Sequence, residues 1–208
     1  MNKILITGGT GRLAEELKKH LEGEYVGIEH WDITYPISKG KYDLVLHMAA
    51  HTDVAKGEQE PEKCFQANAY GTFNMMMAYR DTPFAYISSE YCHKPISIYA
   101  LTKFLGEEIV KYHPQHLIMR TLFKPNPFPF SKAYKDQYTQ GDYIDVIAEL
   151  VAKKIKAWDR KTSEFCYIGT GRKTIFELAK RTRPDVESNS VDEYRAKVGP
   201  IIPYDYQD

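Results

Sequence analysis

Short apolar runs alternate with amphipathic stretches along the whole chain. The runs are Ile4–Thr7, Tyr25–Glu29, Asp43–His47, Phe84–Ser88, Leu117–Thr121 and Phe165–Ile168, each too short for a helix. Most are apolar at successive positions, as in LVLHM and LIMR, the mark of strands covered on both faces. The stretches between them repeat at the helical period. Residues 11–22 align Leu13, Leu17 and Leu21, and residues 61–79 open on Pro61 and align Cys64, Ala67, Gly71, Met75 and Ala78. Residues 99–112 stack Leu101, Phe104, Leu105, Ile109 and Tyr112; residues 142–157 begin at a capping Asp142 and carry Ile147, Val151 and Ile155. This alternation predicts an α/β fold, a doubly wound parallel sheet.

One connection breaks the rhythm. Only the seven residues Tyr35 to Lys41, with Pro36 and Gly40 among them, separate WDIT from the next strand. No helix fits there, so one sheet face should be thinly covered, and a second copy of the chain is expected to cover it as a homodimer. The proline-rich Lys124–Phe130 and the tail from Gly199 read as loops. A single domain is expected over residues 1–208, with about 124–140 and 160–208 forming a small C-terminal cap over the catalytic end.

Composition narrows the class. Lys plus Arg and Asp plus Glu both number 28, which argues against a nucleic-acid surface. Cys64, Cys92 and Cys166 show no CxxC and no zinc-ligand spacing, so no metal is expected and a reduced, cytoplasmic setting fits. No run approaches the ~18 apolar residues of a membrane span. The run Met75–Met77 reads as core filling, and His47 and His51 as packing residues without a metal partner.

The strongest local signal is a strand that runs straight into Thr7-Gly8-Gly9-Thr10-Gly11-Arg12-Leu13-Ala14 and then a helix. Gly8 permits the tight turn, Gly11 lets backbone approach a pyrophosphate, and Ala14 allows close helix–strand packing. The pattern predicts a dinucleotide site. Glu29, about 18 residues beyond Gly11, stands where a carboxylate would bind the adenosine ribose and repel a 2′-phosphate, so NAD(H) is favoured, with NADP(H) as the alternative. Asp32, followed by Ile33, is a second candidate on the adenine side.

Tyr-x-x-x-Lys occurs twice. Tyr35–Lys39 contains Pro36 and reads as noise; Tyr99–Lys103 opens a helix, with its two side chains about 40° apart on a face opposite the apolar stripe. That pair is expected to face outward toward a cofactor. A phenol with a pKa near 10 needs a nearby cation to exchange protons at neutral pH, and the strand FAYISSEY delivers Ser88 and Ser89 at its carboxyl end to hold a substrate oxygen.

Taken together, MNKILITGGTGRLAEEL, DLVLHMAAHTDVAKGEQEPE, NAYGT, YISSEY and YALTKFLGEE resemble the extended short-chain dehydrogenase/reductase superfamily, most closely the dTDP-4-dehydrorhamnose reductases in shortened form. The resemblance implies a Rossmann-like fold and reduction of a nucleotide-linked keto-sugar by NAD(P)H. It implies Tyr99 as general acid, Ser89 as the catalytic hydroxyl and Lys103 as the residue that lowers the Tyr99 pKa and binds nicotinamide ribose. Thr7, Gly8, Thr10, Gly11, Arg12 and Leu13 then match the cofactor turn, Ala49, Ala50 and Thr52 lie along the cofactor, and Asn68 sits behind the site. Thr52, Val54, Ser89, Glu90 and Tyr91 are the substrate-facing candidates. Ser88-Ser89-Glu90 replaces the family's Ser-Thr-Asp, and the Trp usual after Arg120-Thr121 is missing. A nucleotide-sugar epimerase or dehydratase, for which Glu90 beside Ser89 speaks, and a non-catalytic regulatory subunit are the alternatives.

Overall fold

The computed structural model describes residues 3–35 and 40–193. The six apolar runs form one parallel sheet: β1 (Ile4–Thr7), β2 (Glu24–Val26), β3 (Leu44–His47), β4 (Phe84–Ser89), β5 (His116–Thr121) and, numbering strands in chain order, β10 (Glu164–Ile168). The order is β10-β5-β4-β3-β1-β2. The chain steps outward from β1 to β2 and then returns past it to β3, so the direction of winding reverses between β1 and β3. In sheets of this kind the crevice at that reversal takes ligands. The expected Rossmann-like doubly wound fold is the observed one.

Alternate residues of each strand feed two cores. Ile4, Ile6, Leu44, Leu46, Leu117 and Met119 pack beneath α1 (Arg12–Leu17) and α6 (Ile144–Ala157), whose Leu13, Leu17, Ile147, Val151 and Ile155 meet them. Leu5, Val45, Phe84, Tyr86 and Ile118 face α4 (Gly71–Ala78) and α5 (Ile98–Val110), through Met75, Met76 and Val110. Full burial of each large side chain contributes roughly 1.5–3 kcal/mol.

Several expectations are corrected. β2 stops at Val26, because Gly27 accepts the amides of His30 and Trp31 in a turn, so Glu29 lies beyond the strand. The first helix ends at Leu17 rather than residue 22. The helix expected over 61–79 is α3 (Pro61–Phe65), a π turn at Gln66–Tyr70, and α4; an unexpected α2 (Val54–Gln59) precedes it, capped by Asp53. Asp142 does not cap α6. It belongs to a short strand, and its carboxylate binds the Tyr143 amide, Thr170 and Arg181.

The sheet face expected to be bare is covered. Ile33 is buried on it, with Trp31 and Tyr42 packed alongside, and Leu5 and Val45 beneath are fully enclosed. The homodimer argument from that face therefore loses its premise. Residues 36–39, with Lys39 of the first Tyr-x-x-x-Lys, and the tail from Gly199 lie outside the described residues.

After β5 the chain builds a third, smaller core from Leu122, Phe128, Tyr143, Ile175 and Leu178. Pairs of short strands frame it: β6 (Phe123–Lys124) with β9 (Asp142–Tyr143), β7 (Lys132–Tyr134) with β12 (Glu187–Asn189), and β8 (Tyr138–Thr139) with β11 (Lys173–Thr174). Helix α7 (Ile175–Lys180) follows, started by a reciprocal cap between Thr174 and Glu177. Lys124, expected to open a loop, is thus the second residue of β6. No helix is long and apolar enough to cross a membrane among the described residues, which also hold no cluster of metal-ligating side chains.

Candidate active site

A cleft of about 850 Å³ opens at the carboxyl ends of β1, β3, β4 and β5. The glycine turn forms one end. Gly8 has φ +72°, and a Cβ there would lie 2.9 Å from the Ala49 amide nitrogen, so a side chain is excluded on both counts. The turn closes by a 2.9 Å bond from the Gly11 amide to the Gly8 carbonyl.

Buried hydrogen bonds fix the strand ends that carry the turn. The Thr7 hydroxyl accepts the amides of Met48 and Ala49, each at 3.1 Å, and meets His47 Nδ1 at 2.7 Å. His47 Nε2 lies 3.2 Å from Thr72 Oγ1, whose own hydrogen goes to the Asn68 carbonyl at 2.7 Å. Thr72 can then only accept from Nε2–H, and Nδ1 accepts from Thr7. The imidazole is neutral, and burial together with the nearby Lys103 charge pushes its pKa down to about 3. Thr7, expected on the cofactor turn, lines the cleft, and its hydroxyl ties β1 to the loop after β3.

Asn68 occupies the π turn and is fully buried. Its Oδ1 accepts the His51 amide at 2.7 Å, while Nδ2 donates to the His51 carbonyl at 3.1 Å and to Thr102 at 3.0 Å. Thr102 donates in turn to the Tyr99 carbonyl. One amide thereby holds the Ala49–Thr52 loop and the first turn of α5 together.

Ser89, Tyr99 and Lys103 all line the cleft. Ser97 caps α5 by accepting the Ala100 amide, and Tyr99 enters the cleft in the first helical turn. The Ser89 hydroxyl accepts the Tyr91 amide at 3.2 Å and acts on the neighbouring Tyr99 phenol to lower its pKa. Burial raises the phenol pKa above its ordinary value, against the lowering effect of Ser89. The depression of Tyr99 expected from Lys103 is absent. Lys103 is buried rather than outward-facing: its Nζ donates to the Ile87 carbonyl at 2.8 Å and sits 4.0 Å from the Tyr86 ring centre. Burial pushes its pKa down to about 8.

The cleft also gathers Gly8, Thr10, Gly11, Arg12, Leu13, Asp32, Ile33, Ala49, Ala50, Thr52, Val54 and Tyr91, as expected from sequence. Two candidates fall outside it. Glu29 is exposed, paired with His30 at 3.2 Å. Glu90 is fully buried: the Thr139 hydroxyl and the Gln140 amide bind its carboxylate at 2.6 and 3.1 Å, turning it toward the C-terminal core. Sequence reasoning missed Trp31, His51, Phe123 and Lys124, which line the cleft. Phe123 stands two residues past Thr121, the one signal that was available.

The RmlD substrate binding domain family matches residues 1–206. The chain belongs to this family. Among its relatives, GDP-6-deoxy-D-mannose reductase of Pseudomonas aeruginosa is 26% identical over 197 residues, 87% of this chain and 57% of that protein. dTDP-4-dehydrorhamnose reductase of Salmonella typhimurium is 28% identical over 149 residues, 57% of this chain and 50% of that protein. The chain thus spans between half and three-fifths of the length of these curated relatives. The crystal structure of dTDP-4-dehydrorhamnose reductase from Bacillus anthracis in complex with NADP is 21% identical, with a TM-score of 0.76 over 95% of this chain and 88% of that one. The family match bears out the resemblance seen in the motifs, and the likeness to that structure bears out the fold the resemblance implies.

Proposed function

We propose that the cleft reduces a nucleotide-linked keto-sugar with NAD(P)H, as a dTDP-4-dehydrorhamnose reductase does. The observation that carries this reading is that Ser89, Tyr99 and Lys103 share the wall of the cleft that begins at the Gly8 turn. The residues fit a dinucleotide: the Gly8–Gly11 turn is a cradle that a Cβ would fill, and Arg12 stands beside it.

When bound, the reduced cofactor supplies a hydride to the carbonyl carbon. The chain's own residues handle the proton. Tyr99 carries it on Oη, and the phenol is in the protonated form from which a general acid starts. Ser89, already directed by the Tyr91 amide, holds the carbonyl oxygen beside that proton. Lys103 places a cation under the cleft floor, fixed by Ile87 and Tyr86. The core after β5 acts as the substrate-binding cap. Both NADH and NADPH belong to this reading, because Glu29, the carboxylate that would have favoured NAD, is exposed and paired with His30 and is not among the residues that line the cleft.

Net oxidation of NADPH or NADH by the purified protein with a dTDP-4-keto-6-deoxysugar tests the proposal. Tyr99→Phe is expected to cost about 10²–10⁴-fold in kcat while the cofactor still binds. Turnover of the sugar without net cofactor oxidation would favour the epimerase, although Glu90, its main support, is turned away from Ser89. Biological activity untouched by Tyr99→Phe would favour the regulatory subunit. A homodimer, if formed, uses a different surface, the exposed row Phe65, Tyr70, Phe73 and Met77, and light scattering would give twice the 24.0 kDa chain mass.

A further inference from the structure

The cleft is charged out of proportion to the chain. Basic and acidic residues balance over the whole sequence, at 28 each. Yet the cleft presents Arg12, Lys63, Lys103 and Lys124 against Asp32 alone. Lys63 pairs with Glu60 at 3.0 Å, and Lys103 donates to the Ile87 carbonyl. Asp32 accepts from the Thr34 amide and hydroxyl. Arg12 and Lys124 remain without a carboxylate at ion-pair distance among the described residues.

These two cations come from distant parts of the chain. Arg12 opens α1 just after the glycine turn. Lys124 is half-buried on β6, its backbone set in register with Tyr143 of β9. Both line the same cleft, and the Arg12 charge adds to the burial that pushes the Lys124 pKa down. Glu90 pulls the other way, but its oxygens already serve Thr139 and Gln140. Two cations on the wall of one concave site, neither with a carboxylate at ion-pair distance among the described residues, make a local positive field.

We propose that Lys124 and Arg12 together clamp a diphosphate, Lys124 adding from β6 a second cation to the one beside the glycine turn. The inference rests on the reading of the cleft as a nucleotide site and adds a residue to it. A dinucleotide and a nucleotide-sugar both carry a diphosphate, and two cations from distant parts of the chain match its two charged groups better than a single phosphate.

Calorimetric titration of wild type, Lys124→Gln and Lys124→Arg with ADP-ribose, AMP, dTDP and dTMP tests it. Lys124→Gln is expected to weaken ADP-ribose about tenfold, with AMP changed less than about twofold and with a shallower dependence on salt; Lys124→Arg restores binding. The same loss on dTDP but not dTMP, with ADP-ribose unchanged, supports the clamp and assigns it to the nucleotide-sugar. Both diphosphates within about twofold of wild type would overturn the clamp and leave the cleft reading standing. A wild-type protein that binds none of the four overturns both. Should Lys124→Gln fail to fold, inorganic pyrophosphate serves on the wild type: it is expected to raise Tm where orthophosphate does not, and equal protection refutes the clamp.

Discussion

Glu107 of α5 grips Arg120 of β5 at two points, accepting from Nε at 2.8 Å and from Nη2 at 2.7 Å. Glu107 is fully buried, and its Oε1 also accepts the Ser88 hydroxyl. The helix that carries Tyr99 is thereby locked to the strand beside Ser89. Arg120→Met would leave a buried carboxylate without its partner and should cost about 3–5 kcal/mol, read as a lower urea midpoint. The double variant Glu107→Leu/Arg120→Met should recover most of that loss, because neither charge is then stranded.

Acid should weaken the fold through His47. Its folded pKa, about 3, lies below the ordinary 6.5, so between those values the unfolded chain binds the extra proton. This contribution is fully present above pH 6.5 and is lost as pH falls toward 3. It is on the order of 4 kcal/mol. Denaturant melts at pH 7 and pH 4 should differ less in His47→Gln than in wild type.

Glu90 latches the smaller core to the end of β4. Removing it as Glu90→Ala leaves the Thr139 hydroxyl and Gln140 amide unpaired at a cost of about 1–3 kcal/mol. On the proposed function, KM for the sugar should rise severalfold while the affinity for NADPH in direct titration stays close to wild type.

Asn68→Ala should release the His51 backbone at both its amide and its carbonyl. Stability should fall by about 1–3 kcal/mol. Hydrogen exchange at the His51 amide should accelerate more than exchange in the centre of β3.

The sequence announces the sheet because its strands are apolar on both faces, and it announces the glycine turn because no other residue satisfies Gly8. It misleads on α5. The apolar stripe there suggested that Leu101 turns inward, yet Leu101 is 42% exposed while Lys103 is 3% and Glu107 0%. Periodicity weighs side chains by hydrophobicity and is blind to a partner such as Arg120, 13 residues further on. The same blindness hides the direction of Glu29 and Glu90, since a place at a strand end does not say which way a carboxylate turns. The π turn and α2 escape notice because one extra residue per turn leaves the apolar spacing nearly intact. The short strands β6 to β9, β11 and β12 have partners far away along the chain, and segments of two or three residues carry no period.

The row from the Ala49 amide through Thr7, His47 and Thr72 to the Asn68 carbonyl runs in one sense, every hydrogen pointing the same way. Such a row has polarity. An imidazole that took up a second proton would set hydrogen against hydrogen at Thr7, and a valine in place of either threonine would cut the row in two. The spacing between the glycine turn and the loop after β3 is therefore governed by proton positions as much as by packing, and a single added hydrogen on the imidazole would become a change of shape.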